Sequence, residues 1–245
     1  MLTTPPTQEA RIAIQPGFAW DEQDAYLFDI DGTLLRNRDR IHRDSFASGV
    51  QRVTGFDIEP FLSLTPGGTD PAILREALKQ AGISREVIEP QLAAILEATS
   101  LTFDQRRHEM EIRLMPGVED VLRHLARKGA LLGVASGNLE AIGWIKIEEA
   151  GLRPWFRFGG FSDHFANRSE LVGHAARKAR ELAGAEASVC VVGDTVRDIE
   201  AARANSLAVI AVATGRFSFE ALLELRPEVC ASSLADLLAL AGSAP

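Results

Sequence analysis

The sequence predicts an α/β protein whose core is a doubly wound parallel sheet, with a small all-helical segment inserted after the first strand. Three observations support this prediction. Residues 25–28 have the apolar composition of a buried strand, residues 41–115 repeat apolar positions at helical spacing, and residues 116–245 alternate helical and strand patterns. The strand patterns consist almost entirely of Val, Ile, Leu, Ala and Cys, which is typical of strands covered by helices on both faces. The core is therefore expected to be Rossmann-like.

The segments before and inside the core differ in composition. Residues 1–22 are rich in Pro, Thr and Gln and predict an extended or partly ordered leader. The core is assigned to residues 23–40 and 116–245, and the helical insertion to residues 41–115, where no convincing buried strand is found. Within the insertion, Asp70 and Pro71 predict a helix that begins with an acidic cap and a proline in its first turn.

The second part of the core begins after Pro116 and Gly117, a pair that favours a chain turn. Helices are predicted at 118–128, 139–150, 169–182, 196–205, 219–225 and 234–240. Strands are predicted at 130–135, 156–161, 188–192, 207–213 and 229–231. In such sheets ligands bind at the carboxyl ends of the strands, so we expect functional residues there.

Composition excludes several classes of function. A formal charge of -8 argues against a general nucleic-acid binder, which needs clustered Lys and Arg. No apolar run is long enough to span a bilayer, and the first 15 residues lack the pattern of a secretory signal. Cys190 and Cys230 lie in apolar stretches and are interpreted as reduced core residues, which predicts a cytoplasmic location.

The end of the first strand carries two acids. The run Asp-Ile-Asp-Gly-Thr occupies residues 29–33, and alternation along an extended chain puts Asp29 and Asp31 on the same side. Two neighbouring carboxylates repel each other and need a cation or a shared proton. The alternative interpretation is a strand end with an Asp-Gly turn and solvated carboxylates.

Two further strand ends carry polar motifs. Ser-Gly-Asn at 136–138 offers an anion a hydroxyl group and backbone amides just before a helix. Gly-Asp-Thr-Val-Arg-Asp at 193–198 places Asp194 and Asp198 four residues apart across a helix start, so that both can face one point. Carboxylates converging from neighbouring strand ends suit Mg²⁺, which prefers hard oxygen ligands.

The three motifs, in this order and at strand ends, resemble those of the haloacid dehalogenase superfamily, and the resemblance runs from about residue 24 to the end. The insertion looks like the small helical (C1-type) cap of phosphoglycolate phosphatase-like and β-phosphoglucomutase-like members. The resemblance implies a Mg²⁺-dependent phosphatase that acts on a small phosphorylated metabolite through a phospho-aspartyl intermediate.

The resemblance also implies roles for individual residues. Asp29 would be the nucleophile, Asp31 the general acid/base, and Ser136 a catalytic ligand of the transferring phosphoryl group. Candidates for holding Mg²⁺ are Asp29, Asp31 (through its backbone carbonyl), Asp194 and Asp198. Candidates for substrate binding are Thr33, Gly137, Asn138 and, in a loop of the insertion, Thr69.

One position departs from the family pattern. The family usually has a Lys before the last motif, and this sequence has Arg168 at the apparent position. We favour Arg168 as the cation that steadies the phosphate, with Lys178 and Lys146 as alternatives that are each expected to lie on a solvated helix face. A basic cluster at 106–108 is also expected to be a solvated helix face, and no histidine is given a catalytic role.

Two alternatives to a phosphatase remain. A phosphomutase of the same cap class would use both Asp29 and Asp31. A dehalogenase or a phosphonatase is disfavoured, because the resemblance implies that neither kind of enzyme needs the second acid, Asp31. A non-catalytic phosphate-binding regulatory protein on this fold is the other alternative, disfavoured by the retention of four acids. No nucleic-acid or membrane partner is expected, and the chain is expected to be a monomer or homodimer.

Overall fold

A seven-stranded sheet lies at the centre of the computed structural model, which describes residues 11–37, 39–58, 67–165 and 167–241. A separate two-stranded sheet, β3 with β4, lies beside it. The strands are β1 (Ile12–Ile14), β2 (Ala25–Phe28), β3 (Leu35–Asn37), β4 (Ile112–Leu114), β5 (Leu131–Ala135), β6 (Phe158–Gly160), β7 (Val189–Gly193), β8 (Ala208–Val212) and β9 (Val229–Ala231).

Helices cover both faces of the large sheet and form the inserted segment. They are α1 (Ile41–Thr54), α2 (Asp70–Gln80), α3 (Arg85–Ile88), α4 (Leu92–Gln105), α5 (Val118–Arg127), α6 (Glu140–Glu149), α7 (Arg168–Ala183), α8 (Val196–Ala204), α9 (Phe219–Leu223) and α10 (Leu234–Ala241). Their bounds lie within two residues of those predicted for the second part of the core.

The order of the strands in the large sheet is β1-β9-β8-β7-β2-β5-β6, and all pairs are parallel except β1 with β9. Strand β2 lies between β5 and β7, with Phe28 opposite both Val134 and Val192. The three polar motifs therefore follow three adjacent strands at the same edge of the sheet. Strand β1, from the stretch predicted to be a leader, pairs with β9 at the far edge.

Alternating side chains of β2 supply two apolar layers. Tyr26 and Phe28 pack into one core cluster, and Ala25 and Leu27 pack into another on the opposite face. All four residues are fully buried, because helices cover both sides of the strand. The predicted doubly wound α/β core is confirmed.

The insertion forms a helical cap with its own apolar cluster, which includes Phe46, Leu74, Leu78 and Ile95. The two chain crossings between cap and core are β3 and β4, which pair with each other as antiparallel strands. The expectation of a wholly helical stretch at 41–115 is therefore wrong at 112–114. A three-residue strand with partly exposed side chains leaves no buried-strand pattern in the sequence.

Two further predictions concern the chain as a whole. Within the described residues, no helix combines the length and apolar character needed to cross a membrane. Cys190 and Cys230 are both free and buried, which confirms that they are core residues.

Candidate active site

The first motif leaves β2 in a tight turn. Asp29 is buried directly after the strand, and the amide of Gly32 donates to the carbonyl of Leu35 at 2.9 Å. Gly32 has a φ of 95°, and a Cβ atom there would lie 2.4 Å from Oδ2 of Asp194. Glycine is required on both counts, because the turn must take a left-handed conformation and must also admit the Asp194 carboxylate.

Three buried carboxylates form an acidic cluster at the edge of the sheet. One oxygen from each of Asp29, Asp194 and Asp198 lies within 4.8 Å of the others. Burial and the neighbouring negative charges raise the pKa of Asp194 to about 8. Burial, opposed in part by Arg168, raises the pKa of Asp29 to about 6. Buried like charges at this spacing, all on hard oxygen atoms, fit a divalent cation such as Mg²⁺.

Arg168 joins two members of this acidic cluster. It is the first residue of α7, and the helix start is fixed by Asn167, whose side chain accepts from the amide of Glu170. Nη2 of Arg168 lies 2.6 Å from Oδ1 of Asp29 and 2.6 Å from Oδ1 of Asp198. Although burial alone would lower it, the two carboxylates raise the pKa of Arg168 further above its ordinary value. The structure thus puts a permanent cation beside the predicted nucleophile.

Asp198 has further partners. Its Oδ1 accepts from Nε of Arg168 at 2.8 Å, and its Oδ2 accepts from the amide and the hydroxyl of Thr195 at 3.0 and 2.6 Å. The hydroxyl of Thr195 in turn receives the amide of Asp198, which completes a capping box at the start of α8. Since both oxygens of Asp198 are occupied, Asp29 and Asp194 are better suited to bind a cation directly.

Thr33 is placed differently from its prediction. Its side chain is fully buried, and its hydroxyl donates to Oδ1 of Asp194 at 3.0 Å. The hydroxyl of Thr33 thus orients a metal-ligand candidate, and Thr33 is not among the residues that line the cavity. Its substrate-binding role stays a prediction.

The second motif lies opposite the acidic cluster. Ser136 and Asn138 are both buried, and Nδ2 of Asn138 donates to Oγ of Ser136 at 2.7 Å. A Cβ atom on Gly137 would lie 2.0 Å from the carbonyl oxygen of Gly68 in the cap, and the carbonyl of Gly137 accepts from the amide of Asp70 at 2.8 Å. The cap loop at 67–70 therefore packs directly on this motif.

The side chain of Asp31 lies apart from the acidic cluster, beside Lys146. The Nζ atom of Lys146 is 2.6 Å from Oδ2 of Asp31, and Nδ2 of Asn138 is 2.8 Å from the same oxygen. Burial alone would raise the pKa of Asp31, but the Lys146 ammonium and these hydrogen bonds hold it below its ordinary value. The two acids of the first motif thus have different environments, one beside Arg168 and one beside Lys146.

The expectation that Lys146 lies on a solvated helix face is wrong, since the residue is only 1% exposed. Its position was readable in principle, because Lys146 follows the buried Ile142 by four residues on the same face of α6. Lys178, the other alternative, is partly buried on α7 and its Nζ donates to the carbonyl of Gly159 at 3.2 Å. It has no contact with the predicted nucleophile.

Two cap residues have roles that differ from the sequence prediction. Asp70 does not cap its own helix, where Thr69 is the N-cap residue; its Oδ2 accepts instead from the amide of Leu139 at 2.8 Å. His42, which was given no role, has Nε2 3.1 Å from the same oxygen of Asp70 and Nδ1 3.2 Å from Nζ of Lys146. These contacts join residues far apart in sequence, so no local pattern could indicate them.

A cavity of about 380 Å³ lies between the cap and the edge of the sheet. It is lined by core residues that include Asp29, Asp31, Ser136, Asn138, Lys146, Arg168 and Asp194, and by cap residues that include His42, Gly67, Gly68 and Asp70. Thr69 is 2% exposed and is not among the lining residues. Arg106 and Arg107 pair instead with acidic side chains outside the cavity, and the partners of Arg107 include Glu148 and Glu149 of α6 in the core. Their side chains are 32% and 34% exposed, so they are less solvated than expected.

Comparison with known proteins agrees with this geometry. Residues 23–205 match the model of the haloacid dehalogenase-like hydrolase family. The chain belongs to this family. The predicted resemblance to phosphatase-like hydrolases of the superfamily, of the phosphoglycolate phosphatase-like kind, is confirmed.

Individual relatives are similar over most of their length. A phosphoglycolate phosphatase of Agrobacterium fabrum is 27% identical over 216 residues, covering 86% of this chain and 89% of the relative. The pyrophosphatase PpaX of Bacillus pumilus is 24% identical over 226 residues, covering 89% of this chain and 95% of the relative. A solved structure described as a predicted phosphoglycolate phosphatase of Haemophilus somnus has a TM-score of 0.63 at 18% identity, covering 89% of this chain and 98% of its own.

Proposed function

We propose that this hydrolase is a Mg²⁺-dependent phosphatase that removes phosphate from a small metabolite through a phospho-aspartyl intermediate on Asp29. The observation that carries the proposal is the different setting of the two acids in the first motif. Asp29 lies in the acidic cluster with Asp194 and pairs with Arg168, whereas Asp31 is bound by Lys146 and Asn138. One carboxylate is set up to meet a phosphorus atom and the other to handle a proton.

In the first half of the reaction, an oxygen of Asp29 attacks phosphorus and the bond from phosphorus to the leaving oxygen breaks. Asp31 donates a proton to the leaving alkoxide. Because the pKa of Asp31 is lowered in the free site, its carboxylate first takes up that proton from solvent, to which its side chain is 42% exposed. Arg168 neutralises part of the charge on the nucleophile and the phosphoryl group. Asp29, Asp194 and Asp198 would hold a Mg²⁺ ion, which would supply further positive charge at the transferring group.

In the second half, water attacks the phosphorus atom and Asp31 accepts its proton, which releases inorganic phosphate and restores the Asp29 carboxylate. The lowered pKa of Asp31 suits this step, because a base must begin deprotonated. The hydroxyl of Ser136 and the amides of Gly137 and Asn138 are suited to bind the phosphoryl oxygens in both halves.

The cap and the cavity support a small, anionic substrate. A volume of about 380 Å³ is in the range of sites for small ligands. Besides Arg168, four arginine residues line the cavity, namely Arg36, Arg40, Arg43 and Arg216. We propose that they select a leaving group that carries its own negative charge, as phosphoglycolate and pyrophosphate both do.

The proposal is tested by phosphate release from a panel of phosphorylated metabolites, with Mg²⁺ and with excess chelator. We expect turnover only with Mg²⁺, and inhibition by Ca²⁺, which prefers more ligands at longer distances. Asp29→Asn should lower turnover by roughly 10⁴-fold or more, since an amide cannot attack phosphorus. Asp120→Asn is the matched control, because Asp120 is exposed and pairs only with Arg123 in the described structure.

Other outcomes would point to other functions. Undiminished activity in chelator would refute the metal assignment, and near-normal activity of Asp29→Asn would refute the covalent mechanism. Turnover that appears only with a sugar bisphosphate activator would indicate a phosphomutase. Absence of hydrolysis of every substrate, including a generic aryl phosphate, would favour the non-catalytic alternative.

A further inference from the structure

The ammonium group of Lys146 has three partners. Its Nζ atom lies 2.6 Å from Oδ2 of Asp31, 2.8 Å from Oδ1 of Asn138 and 3.2 Å from Nδ1 of His42. A lysine ammonium carries three N–H donors and no acceptor, so each donor has one partner here. A buried charge that is fully hydrogen-bonded in this way holds its neighbours in fixed positions.

The contacts continue from Lys146 into the cap. Because Nδ1 of His42 accepts from Lys146, its Nε2 carries the hydrogen and donates to Oδ2 of Asp70 at 3.1 Å. The same oxygen of Asp70 accepts from the amide of Leu139, back in the core. His42 and Asp70 are cap residues, so this part of the network exists only while the cap is seated on the core.

The network constrains one oxygen of Asp31. Both hydrogen bonds that this carboxylate accepts from the described residues end on Oδ2, one from Lys146 and one from Asn138. The side chain of Asp31 is nevertheless 42% exposed, and it lines the cavity. Holding Oδ2 fixes the plane of the carboxylate and leaves Oδ1 for a proton of the leaving group or of water.

We propose that Lys146 is a positioning residue for Asp31, and that docking of the cap through His42 and Asp70 completes this positioning. The inference rests on the phosphatase function proposed above and adds residues to it. Lys146 acts through Asp31, whereas Arg168 lies beside Asp29 and the transferring phosphoryl group. A seated cap then has two effects, since it covers the cavity and also restrains the carboxylate of Asp31 in one orientation.

A substrate with a good leaving group separates the two halves of the reaction. The nitrophenolate of p-nitrophenyl phosphate leaves without a proton, so phosphorylation of Asp29 needs little from Asp31. Hydrolysis of the aspartyl-phosphate still needs Asp31 as a base. A defect in the positioning of Asp31 should therefore slow the second half and spare the first.

The experiment is rapid-mixing kinetics of Lys146→Met with this substrate and Mg²⁺. We expect a burst of about one nitrophenolate per enzyme, followed by a steady-state rate roughly 10²-fold below that of the unmodified protein. With an alkyl phosphate, which needs a proton on the leaving group, the burst should be absent. Lys178→Met is the matched control, since this lysine bonds the carbonyl of Gly159, and it should leave both phases unchanged.

His42→Asn tests whether docking of the cap helps to position Asp31. It also replaces Lys146→Met if circular dichroism shows that the latter variant does not fold. His42→Asn should produce the same pattern with a smaller loss, as should Asp70→Ala, which removes the acceptor oxygen that His42 and the amide of Leu139 share. A Lys146→Met protein with a normal steady-state rate, or with burst and steady state reduced in equal proportion, would overturn the inference. Normal kinetics of both cap variants would overturn the role given to docking of the cap. If the unmodified protein neither hydrolyses p-nitrophenyl phosphate nor becomes phosphorylated, the proposed function itself would be refuted.

Discussion

At the scale of single residues, the site depends on which cation faces which carboxylate. Arg168 is buried and contacts both Asp29 and Asp198, a geometry that the planar, forked guanidinium can span and a lysine ammonium spans less well. Lys146 serves the other acid as a compact charge with three donors. In the proposed mechanism, the nucleophile is therefore paired with an arginine and the acid/base with a lysine.

The role of Arg168 is tested by substitution. Arg168→Ala should lower kcat by roughly 10² to 10³-fold, because charge stabilisation at the transferring group is lost. It should also destabilise the metal-free protein by about 3–5 kcal/mol, because Asp29 and Asp198 are left without their buried partner. Phosphate release and thermal unfolding measure the two effects.

Two further variants complete this test. Arg168→Lys should fall between the unmodified protein and Arg168→Ala, since it keeps the charge and loses the fork. Lys178→Ala should behave like the unmodified protein, because that lysine contacts neither carboxylate. An active Arg168→Ala together with an inactive Lys178→Ala would move the phosphate-steadying cation to Lys178.

At the scale of elements, adjacent strand ends assemble the core half of the site and one cap loop closes it. The loop at 67–70 approaches Gly137 so closely that no side chain fits between them. The two crossing strands β3 and β4, which pair with each other, are the natural hinge for this approach. We therefore propose that the cap pivots on the core at these two crossings.

The close contact between the cap loop and Gly137 predicts the effect of adding one methyl group at Gly137. Gly137→Ala would put a Cβ atom 2.0 Å from the carbonyl oxygen of Gly68, so the cap must move outward. We expect kcat/KM to fall by about 10-fold or more on every substrate, since a small displacement of positioned groups is costly, with little change in unfolding temperature.

Gly129→Ala is the matched control. Gly129 has a φ of 85° and open space around it, at a helix end remote from the cavity. Alanine there should lower stability by roughly 1 kcal/mol through backbone strain and leave activity unchanged. If Gly137→Ala retained full activity, close seating of the cap would not be needed for catalysis.

At the scale of the whole molecule, the acidic cluster sets the response of stability to pH. The folded pKa values of Asp29 and Asp194, about 6 and about 8, lie above the ordinary value of 3.8. Between about pH 4 and pH 8 the folded protein therefore binds more protons than the unfolded chain, and its stability falls as pH rises. His174, with a lowered pKa, opposes this trend only from a partly exposed position.

The metal-free protein should accordingly melt at a lower temperature at pH 8 than at pH 5, by roughly 5 °C or more. Saturating Mg²⁺ should reduce this difference, because a bound cation stabilises the deprotonated carboxylates. Differential scanning calorimetry in chelator and in Mg²⁺ measures both effects. Asp194→Asn should flatten the dependence, and an unfolding temperature that rose with pH would contradict the assignment of the shifted groups.

The sequence by itself determined the class of the fold and the three motifs. Strands rich in Val, Ile and Ala and helices closed by glycine are local patterns, because each depends on propensity and burial over a few residues. Asp29, Asp31, Asp194 and Asp198 could be placed at strand ends for the same reason. Parallel strands bring their carboxyl ends to one edge, so the meeting of Asp29 with Asp194 and Asp198 could be expected, whereas the side chain of Asp31 lies apart from them beside Lys146.

Only the tertiary structure decided which side chains meet. Lys146 contacts Asp31 across 115 residues of chain, and His42 and Asp70 join it from the cap. A lysine with an ordinary helical pattern around it gives no local sign of the acid it will pair with. The helical spacing indicates that Lys146 shares a face of α6 with the buried Ile142, but which acid and which histidine it meets there is decided only when the cap packs on the core.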